Sequence, residues 1–357
     1  MKYEIDIKRS ESSKFKDFDI NEASFGKVYS DHMFVAEYEN GEWKNFCIKP
    51  FGPISLTPAN LTLHYGQSIF EGMKASKDTE GNPMLFRLDR HIKRLNESAE
   101  RMGMPSVPED MFVQALELLV SIDYQWIPDA PNALYIRPFM FAADEFIGVR
   151  SSDTFKFIIF TGPVSNYYKK PVKLLTAQKY IRAAKGGVGF AKTAGNYAAT
   201  LYPMNIASKM GYDQIMWMSP DFEYIQECGT MNLFFVIDGR VITPTTIDGT
   251  ILEGITRDSF IKLLKEKGIA VEERHVNIKE IVEAHEQGRL EDVFGAGTAA
   301  VVAPVSELTY RDKMMKLPPI EGRTISKFLK DELNNIRSGA SEDRFNWVHK
   351  VNIHEHV

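Results

Sequence analysis

The sequence predicts a two-domain α/β protein in which helices and strands are mixed (α+β). At 357 residues the chain is longer than one hydrophobic core usually supports. Its first half contains hairpins followed by amphipathic helices, and its second half alternates strands with helices. We therefore expect a smaller N-terminal domain over 1–164, a connection over 165–175 and a larger C-terminal domain over 176–357.

Composition indicates a soluble protein of a reducing cytoplasm. The chain is 44% hydrophobic and 25% charged, with a net charge of −5 and no basic cluster for nucleic acid. Its most apolar stretch, 133–143, is interrupted by Arg137 and Pro138, so no membrane helix is expected, and the N-terminus lacks the apolar core of a signal peptide. With only Cys47 and Cys228, neither a disulfide framework nor a metal site is expected.

The N-terminal half is predicted from turn residues and apolar spacing. Asn40-Gly41 readily takes positive φ and joins two apolar strands. Apolar residues spaced four and three apart, from Leu88 to Met102, predict one face of a helix. In order, the predicted elements are hairpins over 31–50 and around 78–83, helices over 88–103 and 111–122, and buried strands over 133–145 and 152–164.

The C-terminal half is predicted by the same signals, with Asp238-Gly239 as its hairpin turn. No internal repeat or low-complexity tract is present. The predicted elements are a strand over 173–178, a helix over 197–211, strands over 213–219 and 223–229, a hairpin over 232–244, a helix over 256–268, a strand over 271–275, a helix over 277–286, a Gly/Ala-rich strand region over 293–308 and a last helix over 324–336.

The stretch from Gly186 to Thr200 surrounds Lys192 with glycines. Glycine leaves room for a planar ligand near the backbone, and a desolvated lysine amine is a nucleophile towards aldehydes. A surface lysine in a flexible loop is the ordinary alternative. The choice depends on whether the chain supplies the other groups of such a site.

Arginines in two predicted elements, a helix and a strand, are candidates for binding a ligand. Arg90 and Arg94 are one turn apart on the predicted helix, where arginines are commonly solvated but one of them can bind a phosphate dianion. Arg137 lies in an apolar strand on the same face as Tyr135. A charge there is costly unless it is paired or lines a site.

Three further segments could complete a cofactor site. Glu227 ends a predicted strand, where it is either a solvated glutamate or the partner of a protonated ring nitrogen. Gly254-Ile255-Thr256 precedes a helix whose first amides could bind phosphate. The small residues around Thr298-Ala299 form either a plain turn or a second anion-binding turn.

The order of these motifs is specific. An Arg-bearing helix is followed by Tyr-x-Arg and then by Lys-Thr-Ala-Gly-Asn-Tyr, Glu-Cys-Gly-Thr-Met-Asn, Gly-Ile-Thr-Arg and Gly-Ala-Gly-Thr-Ala. With these motifs the chain closely resembles the branched-chain amino acid aminotransferases, fold type IV enzymes of the D-amino acid aminotransferase-like fold that use pyridoxal 5′-phosphate (PLP). The resemblance extends from residue 25 to the final helix.

The resemblance implies a role for each motif residue in binding PLP. Lys192 would form the Schiff base and move the proton in catalysis. Glu227 would face the ring nitrogen and Tyr197 the ring hydroxyl. The phosphate would be bound by Arg94, Ile255, Thr256 and Thr298.

For the substrate, the resemblance places the α-carboxylate at Ala299 and Tyr135, and the distal carboxylate of glutamate at Arg137. It also implies a homodimer in which Val149 reaches the neighbouring site. The remaining pocket residues would be Tyr29, Tyr65, Phe70, Tyr167 and Thr230, although core packing is the common fate of such aromatics.

The expected reaction is ping-pong transfer of the amino group of L-leucine, L-isoleucine or L-valine to 2-oxoglutarate. Some relatives carry a redox Cys-x-x-Cys where this chain has Ala300 and Ala303, which excludes a thiol switch there. The alternatives are a D-amino acid aminotransferase or an aminodeoxychorismate-type lyase on the same scaffold, or a non-catalytic PLP-binding protein.

Overall fold

The computed structural model describes residues 3–20, 25–165 and 170–353. By contacts the chain divides into two compact units. The first unit comprises 1–167, 191–194 and 334–357, and the second comprises 168–190 and 195–333. The C-terminal segment and the four residues around Lys192 therefore count with the first unit, whereas the predicted domains divide the chain only once. The predicted domain boundaries stay a prediction.

The first half of the chain forms the expected hairpins, helices and strands. In the first hairpin Glu39 pairs with Glu42, and both Asn40 and Gly41 have positive φ, as the turn chemistry predicts. The elements are β1 (Asp6–Ile7), β2 (His32–Glu39), β3 (Glu42–Pro50), α1 (Leu61–Tyr65), β4 (Ser68–Phe70), β5 (Met73–Lys77), β6 (Pro83–Phe86), α2 (Leu88–Arg101), α3 (Glu109–Ile122), β7 (Ala133–Ala142) and β8 (Phe155–Val164).

The second half alternates strands and helices as predicted, with a few short elements in addition. The elements are β9 (Val172–Thr176), α4 (Ala194–Ala198), α5 (Leu201–Lys209), β10 (Gln214–Met218), β11 (Tyr224–Cys228), β12 (Met231–Ile237), β13 (Arg240–Pro244), α6 (Ile255–Glu266), β14 (Val271–Arg274), β15 (Val276–Asn277), α7 (Ile278–Glu286), β16 (Leu290–Gly297), β17 (Val301–Tyr310), β18 (Lys313–Lys316), α8 (Thr324–Arg337) and β19 (Val348–Lys350); short 3-10 turns cover Lys14–Asp17, Tyr124–Trp126 and Ile320–Gly322.

The prediction of one helix over 197–211 was wrong, because α4 and α5 are separate. The hydroxyl of Thr200 donates to the carbonyl of Tyr197 and competes with the helix ladder. Pro203 has no N–H to donate to the carbonyl of residue 199, so it is compatible only with the first turn of a new helix.

In the sheet of the first unit, the candidate residues Tyr135 and Arg137 lie on β7, a strand with neighbours on both sides. Its strands run in the order β1-β3-β2-β8-β7-β5-β6-β19, with β4 beside β7. In β7, Tyr135 lies opposite Lys74 and Arg137 lies opposite Phe160. The apolar faces of α2 and α3 pack into the core of this unit, as their residue spacing predicts.

The sheet of the second unit contains a closed ring. Strands β12, β16, β17, β9, β10 and β11 are neighbours in that order, and β11 pairs again with β12. Glu227 therefore lies on a strand with partners on both sides, opposite Asn232 of β12. No helix in the described part of the chain is long and apolar enough to cross a membrane.

Candidate active site

Lys192 is held by its backbone against the first sheet. Its carbonyl accepts the N–H of Phe70 at 3.0 Å, and its own N–H donates to Oγ of Ser98 at 2.9 Å. Ser98 in turn donates to the carbonyl of Arg94 at 2.9 Å. The Lys192 amine lies 4.9 Å from the centre of the Phe70 ring. Helix α2 and strand β4 thus fix the base of the lysine, and only its side chain is left to reorient.

The glycines before Lys192 have a packing role in addition to the one that the sequence suggested. A side chain at Gly189 would collide with Ala183 and with the carbonyl of Thr250. By contrast, Gly195 is exposed and has open space around its missing side chain. Asn196 donates to the carbonyl of Val188 at 2.8 Å and ties the start of α4 to this loop.

Arg94 is fixed by two residues that sequence reasoning missed. Its Nε lies 2.7 Å from Oε1 of Glu71, and its Nη2 donates to Oε2 at 2.9 Å. Nδ1 of His91 lies 2.7 Å from Oε2 of the same carboxylate. All three side chains are buried. The bidentate contact holds the guanidinium of Arg94 in one orientation.

The protonation states in this cluster follow from burial and charge. Burial raises the pKa of Glu71, but the charge of Arg94 and the hydrogen bond of His91 outweigh it, and the pKa lies well below its usual value. Burial, together with the charges of Arg94 and Arg337, lowers the pKa of His91 below its usual value although Glu71 acts to raise it. At neutral pH the cluster therefore contains a carboxylate, a neutral imidazole that donates from Nδ1, and a guanidinium.

Arg137, the charge in an apolar strand, lies among aromatic rings. Its guanidinium carbon is 4.7 Å from the Phe70 ring centre and 5.4 Å from that of Tyr135. Its Nη2 donates to the hydroxyl of Tyr135 at 3.1 Å. A side chain at Gly72 would collide with that hydroxyl, so glycine is required there. Phe70, Tyr135, Arg137 and Lys192 thus form one contact group.

A cavity of about 120 Å³ lies beside Tyr135 and Arg137. Tyr29 lines it, and the hydroxyl of Tyr29 donates to the carbonyl of Gly26 at 2.6 Å, so its ring is the surface offered to a ligand. Phe25 and Phe160, which sequence reasoning missed, also line it. They contact Tyr135 and Tyr29 edge to face, with ring centres 4.9 and 5.5 Å apart.

In the second unit, Glu227 is buried and both of its oxygens are engaged. Nε of Arg182 lies 3.1 Å from Oε1, and the N–H of Leu252 donates to Oε2 at 3.1 Å. Asn232 donates to the carbonyl of Leu252 at 2.9 Å and fixes that segment. Arg182 gave no signal in the sequence, because its partner is 45 positions away in the chain.

The start of α6 has the properties of a phosphate site. Gly254 provides no side-chain cap, so the helix begins with uncapped amides next to Ile255 and Thr256, both buried. Oγ1 of Thr256 is buried without a hydrogen-bond partner among the described residues. An orphaned hydroxyl at a helix N-terminus fits the phosphate that the sequence predicts there.

The other predicted residues occupy varied positions. Tyr197 is half-buried in α4, and Thr298 and Ala299 are half-buried in the turn between β16 and β17, whereas Thr230 is exposed. Tyr65 and Val149 lie on the surface of the first unit, and neither lines the cavity beside Tyr135. Tyr167 lies outside the described residues. Within the described ranges, no group of three His, Cys, Asp or Glu side chains could hold a metal ion.

Comparison with known proteins identifies the family. Residues 68–308, more than half of the chain, match the amino-transferase class IV family. The chain is 44% identical to branched-chain-amino-acid aminotransferase 2 of Bacillus subtilis over 339 residues, which cover 93% of each protein. Class IV aminotransferases use PLP, in agreement with the predicted cofactor.

Solved structures agree with the predicted fold. A branched-chain amino acid aminotransferase of Escherichia coli superposes with a TM-score of 0.73 at 27% identity, covering 91% of this chain and 100% of that one. The T.th. enzyme, solved as a complex with N-(5′-phosphopyridoxyl)-L-glutamate, gives 0.72 at 26% identity, covering 89% and 98%. The protein is therefore a PLP-dependent transaminase that belongs to the branched-chain amino acid aminotransferases, within the class IV aminotransferases.

Proposed function

We propose that the protein transfers the amino group of L-leucine, L-isoleucine or L-valine to 2-oxoglutarate in two half-reactions, with PLP joined to Lys192. The family membership supports this reaction. So do structures of the T.th. enzyme with 4-methylvaleric acid and with a phosphopyridoxyl derivative of glutamate, an aliphatic and an acidic ligand. The cofactor, when bound, supplies the electron sink for the chemistry.

The chain's own residues hold the cofactor and move the proton. With the cofactor bound, Glu227 beside Arg182 would face the ring nitrogen, and Tyr197 would donate to the ring hydroxyl. Once the substrate amino group replaces the Lys192 amine on the cofactor, the freed amine would take the proton from the substrate Cα and deliver it to C4′ of the cofactor. The phosphate is bound by the clamped guanidinium of Arg94, by the amides at Ile255 and Thr256, and by Thr298.

The substrate is oriented by one polar end and an apolar pocket. The hydroxyl of Tyr135 and the turn at Ala299 bind the α-carboxylate. Burial of an aliphatic side chain among aromatic rings contributes about 0.8 kcal/mol per methylene. The proposed pocket comprises Tyr29, Tyr65, Phe70, Tyr167, Thr230 and Val149 of the partner subunit.

The position of Arg137 carries this proposal. Its guanidinium lies over the Phe70 ring and donates to the hydroxyl of Tyr135, so this cation is held against aromatic rings. In that place it can pair with the distal carboxylate of 2-oxoglutarate, and it can lie flat against the rings when the substrate is aliphatic. One pocket can therefore accept both substrates in turn.

Stopped-flow spectroscopy of the two half-reactions tests the proposal with Arg137→Met. We expect the 2-oxoglutarate half-reaction to fall about 10- to 100-fold in kcat/KM, because one charge-assisted pairing is lost. The leucine half-reaction should change less. Lys156→Met, which removes a cation from the neighbouring strand, is the matched control. Equal losses in both half-reactions would contradict the role of Arg137, and absence of a leucine reaction in the wild type would contradict the proposed function.

We further propose that the working unit is a homodimer in the cytoplasm. The loop before β8 exposes three large apolar side chains, Phe146, Ile147 and Val149, the last of them 89% exposed. Three exposed large apolar side chains within four residues support an interface at this loop. The two free cysteines support a reducing compartment. Light scattering should give twice the chain mass of 40.6 kDa, and Val149→Asp should shift it towards the monomer.

A further inference from the structure

Arg182 is a buried arginine whose contacts surround the residue assigned to the ring nitrogen. Its side chain is 5% exposed and that of Glu227 is 7% exposed. Their closest atoms, Nε and Oε1, are 3.1 Å apart without the alignment of a hydrogen bond, so the contact is primarily ionic. A guanidinium at this distance in a buried site favours the ionised carboxylate.

The other end of the same side chain binds two backbone carbonyls. Nη2 donates to the carbonyl of Gly189 at 3.2 Å and also to that of Thr250. The first carbonyl belongs to the glycine-rich loop before Lys192, and the second lies two residues before Leu252, whose N–H donates to Glu227. One guanidinium therefore joins β11 to two loops of the second unit.

We propose that Arg182 is the positioning residue for Glu227: it keeps that carboxylate ionised and fixes its direction. The inference rests on the proposed role of Glu227 at the ring nitrogen. An ionised carboxylate is what holds a pyridine nitrogen protonated, and only the protonated ring is a strong electron acceptor. Arg182 thus acts on the reaction through Glu227, without touching the substrate.

Arg182→Met removes the charge and the two carbonyl contacts. Without the guanidinium the buried Glu227 carboxylate is harder to ionise, so the acid limb of the leucine half-reaction should move to higher pH. The visible absorption band of the substrate-free holoenzyme should change at a correspondingly higher pH. We expect the rate constant at neutral pH to fall about 10- to 100-fold, the effect typical of residues that orient a ligating group. KM for leucine should change less than the rate constant.

Two further variants separate positioning from structure. Arg182→Lys retains the charge, so it should restore the wild-type pH dependence even where the rate is reduced. If Arg182→Met does not fold, Arg182→Lys is the variant to be measured instead. Arg323→Met is the matched control, because Arg323 is equally buried in the same unit and binds Asp292 and backbone carbonyls away from Glu227. It should lower stability and leave the spectrum and pH profile unchanged.

A double-mutant cycle shows whether Arg182 acts through Glu227. In a Glu227→Gln background, Arg182→Met should have little further effect on the rate, because there is no carboxylate left to ionise. Additive losses, or a wild-type spectrum and pH profile in Arg182→Met, would overturn the inference while leaving the proposed function intact. If the wild-type holoenzyme showed no leucine-dependent spectral change, or if Lys192→Ala retained the visible band, the proposed function itself would fail and the inference with it.

Discussion

Glu71 in the first unit and Glu227 in the second are both buried carboxylates, and they are held differently. Glu71 in the first unit accepts from both Arg94 and His91 and is wholly buried. Glu227 in the second unit faces Arg182 and the N–H of Leu252. In the site that we propose, the first carboxylate positions an arginine for the ligand. In the second unit the arginine positions a carboxylate for the ligand.

This difference follows from the charge of the ligand group proposed for each pair. Phosphate is an anion, so in our proposal the cation of the first pair faces it, with the carboxylate behind. A protonated ring nitrogen is a cation, so in our proposal the carboxylate of the second pair faces it. Buried pairs contribute little net stability because desolvation offsets their attraction, but removal of one partner is costly because the other charge is left uncompensated.

The largest expected effect comes from Glu71→Gln, which leaves Arg94 buried without its counter-charge. Breaking a buried pair costs about 3–5 kcal/mol. We expect that loss in the free energy of unfolding of the cofactor-free protein, measured with urea and tryptophan fluorescence. PLP affinity should fall as well, because Arg94 is no longer held.

Glu117→Gln is the control for that measurement. Glu117 pairs with His349 at 2.9 Å in the same unit, but both side chains are partly exposed. Such a pair is worth about 1 kcal/mol or less. If the two substitutions lowered the free energy of unfolding equally, the buried Glu71 cluster would contribute no more to stability than the partly exposed pair of Glu117 and His349.

A smaller effect is expected for His91→Gln, which removes one partner of Glu71 and leaves the bidentate contact with Arg94. A hydrogen bond to a charged group contributes about 1.5–3 kcal/mol. Stability should fall by that amount, while PLP affinity falls less than in Glu71→Gln. If PLP affinity fell as far as in Glu71→Gln, His91 would contact the ligand directly. The proposal that it acts only through Glu71 would then be wrong.

Much of the fold was predictable because it depends on local signals. The turn at Asn40-Gly41 and the apolar stripe of α2 are encoded by residues close together in the chain, and both predictions were confirmed. The helix break at Thr200 was missed because it depends on a side-chain bond that periodicity does not report. The short strands β1 and β19 were missed because their partners are far away in sequence.

In the candidate site, the sequence singled out Arg94, Arg137 and Glu227 and missed the buried residues that contact Arg94 and Glu227. Arg94 and Glu227 lie in recognisable motifs, and Arg137 stands out as a charge in an apolar strand. Glu71 follows Phe70 in the chain and was passed over, because only the folded sheet brings it to α2, 23 positions from Arg94. Arg182 could not be predicted either, because only the folded structure brings it next to Glu227. Supporting residues have no local signature of their own, although a buried motif arginine implies that a carboxylate lies near it.

The smallest predicted effect is a change of stability with pH, in which His91 and Glu71 titrate over different pH ranges. The pKa of His91 is lowered in the folded protein, so the unfolded chain binds more protons just below its ordinary value of 6.5. Stability should therefore fall as the pH drops from about 6.5, by at most about 1.4 kcal/mol per pH unit. The pKa of Glu71 is also lowered, and its contribution, complete above the ordinary 4.5, should be lost only below that pH.

Urea unfolding of the cofactor-free wild type and His91→Gln between pH 7 and pH 4 tests this order. The difference in stability between the two proteins should shrink as the pH falls below about 6.5, because only the wild type carries the neutral imidazole that must stay unprotonated in the fold. Titrating groups that do not contact His91 cancel in that difference, and Glu71, which does contact it, titrates only below its ordinary 4.5. A difference that grew on acidification would mean that His91 is protonated beside Glu71. The first cluster would then contain two cations around its carboxylate, whereas Glu227 has the single cation of Arg182. The two clusters would differ in net charge as well as in which member of the pair is proposed to face the ligand.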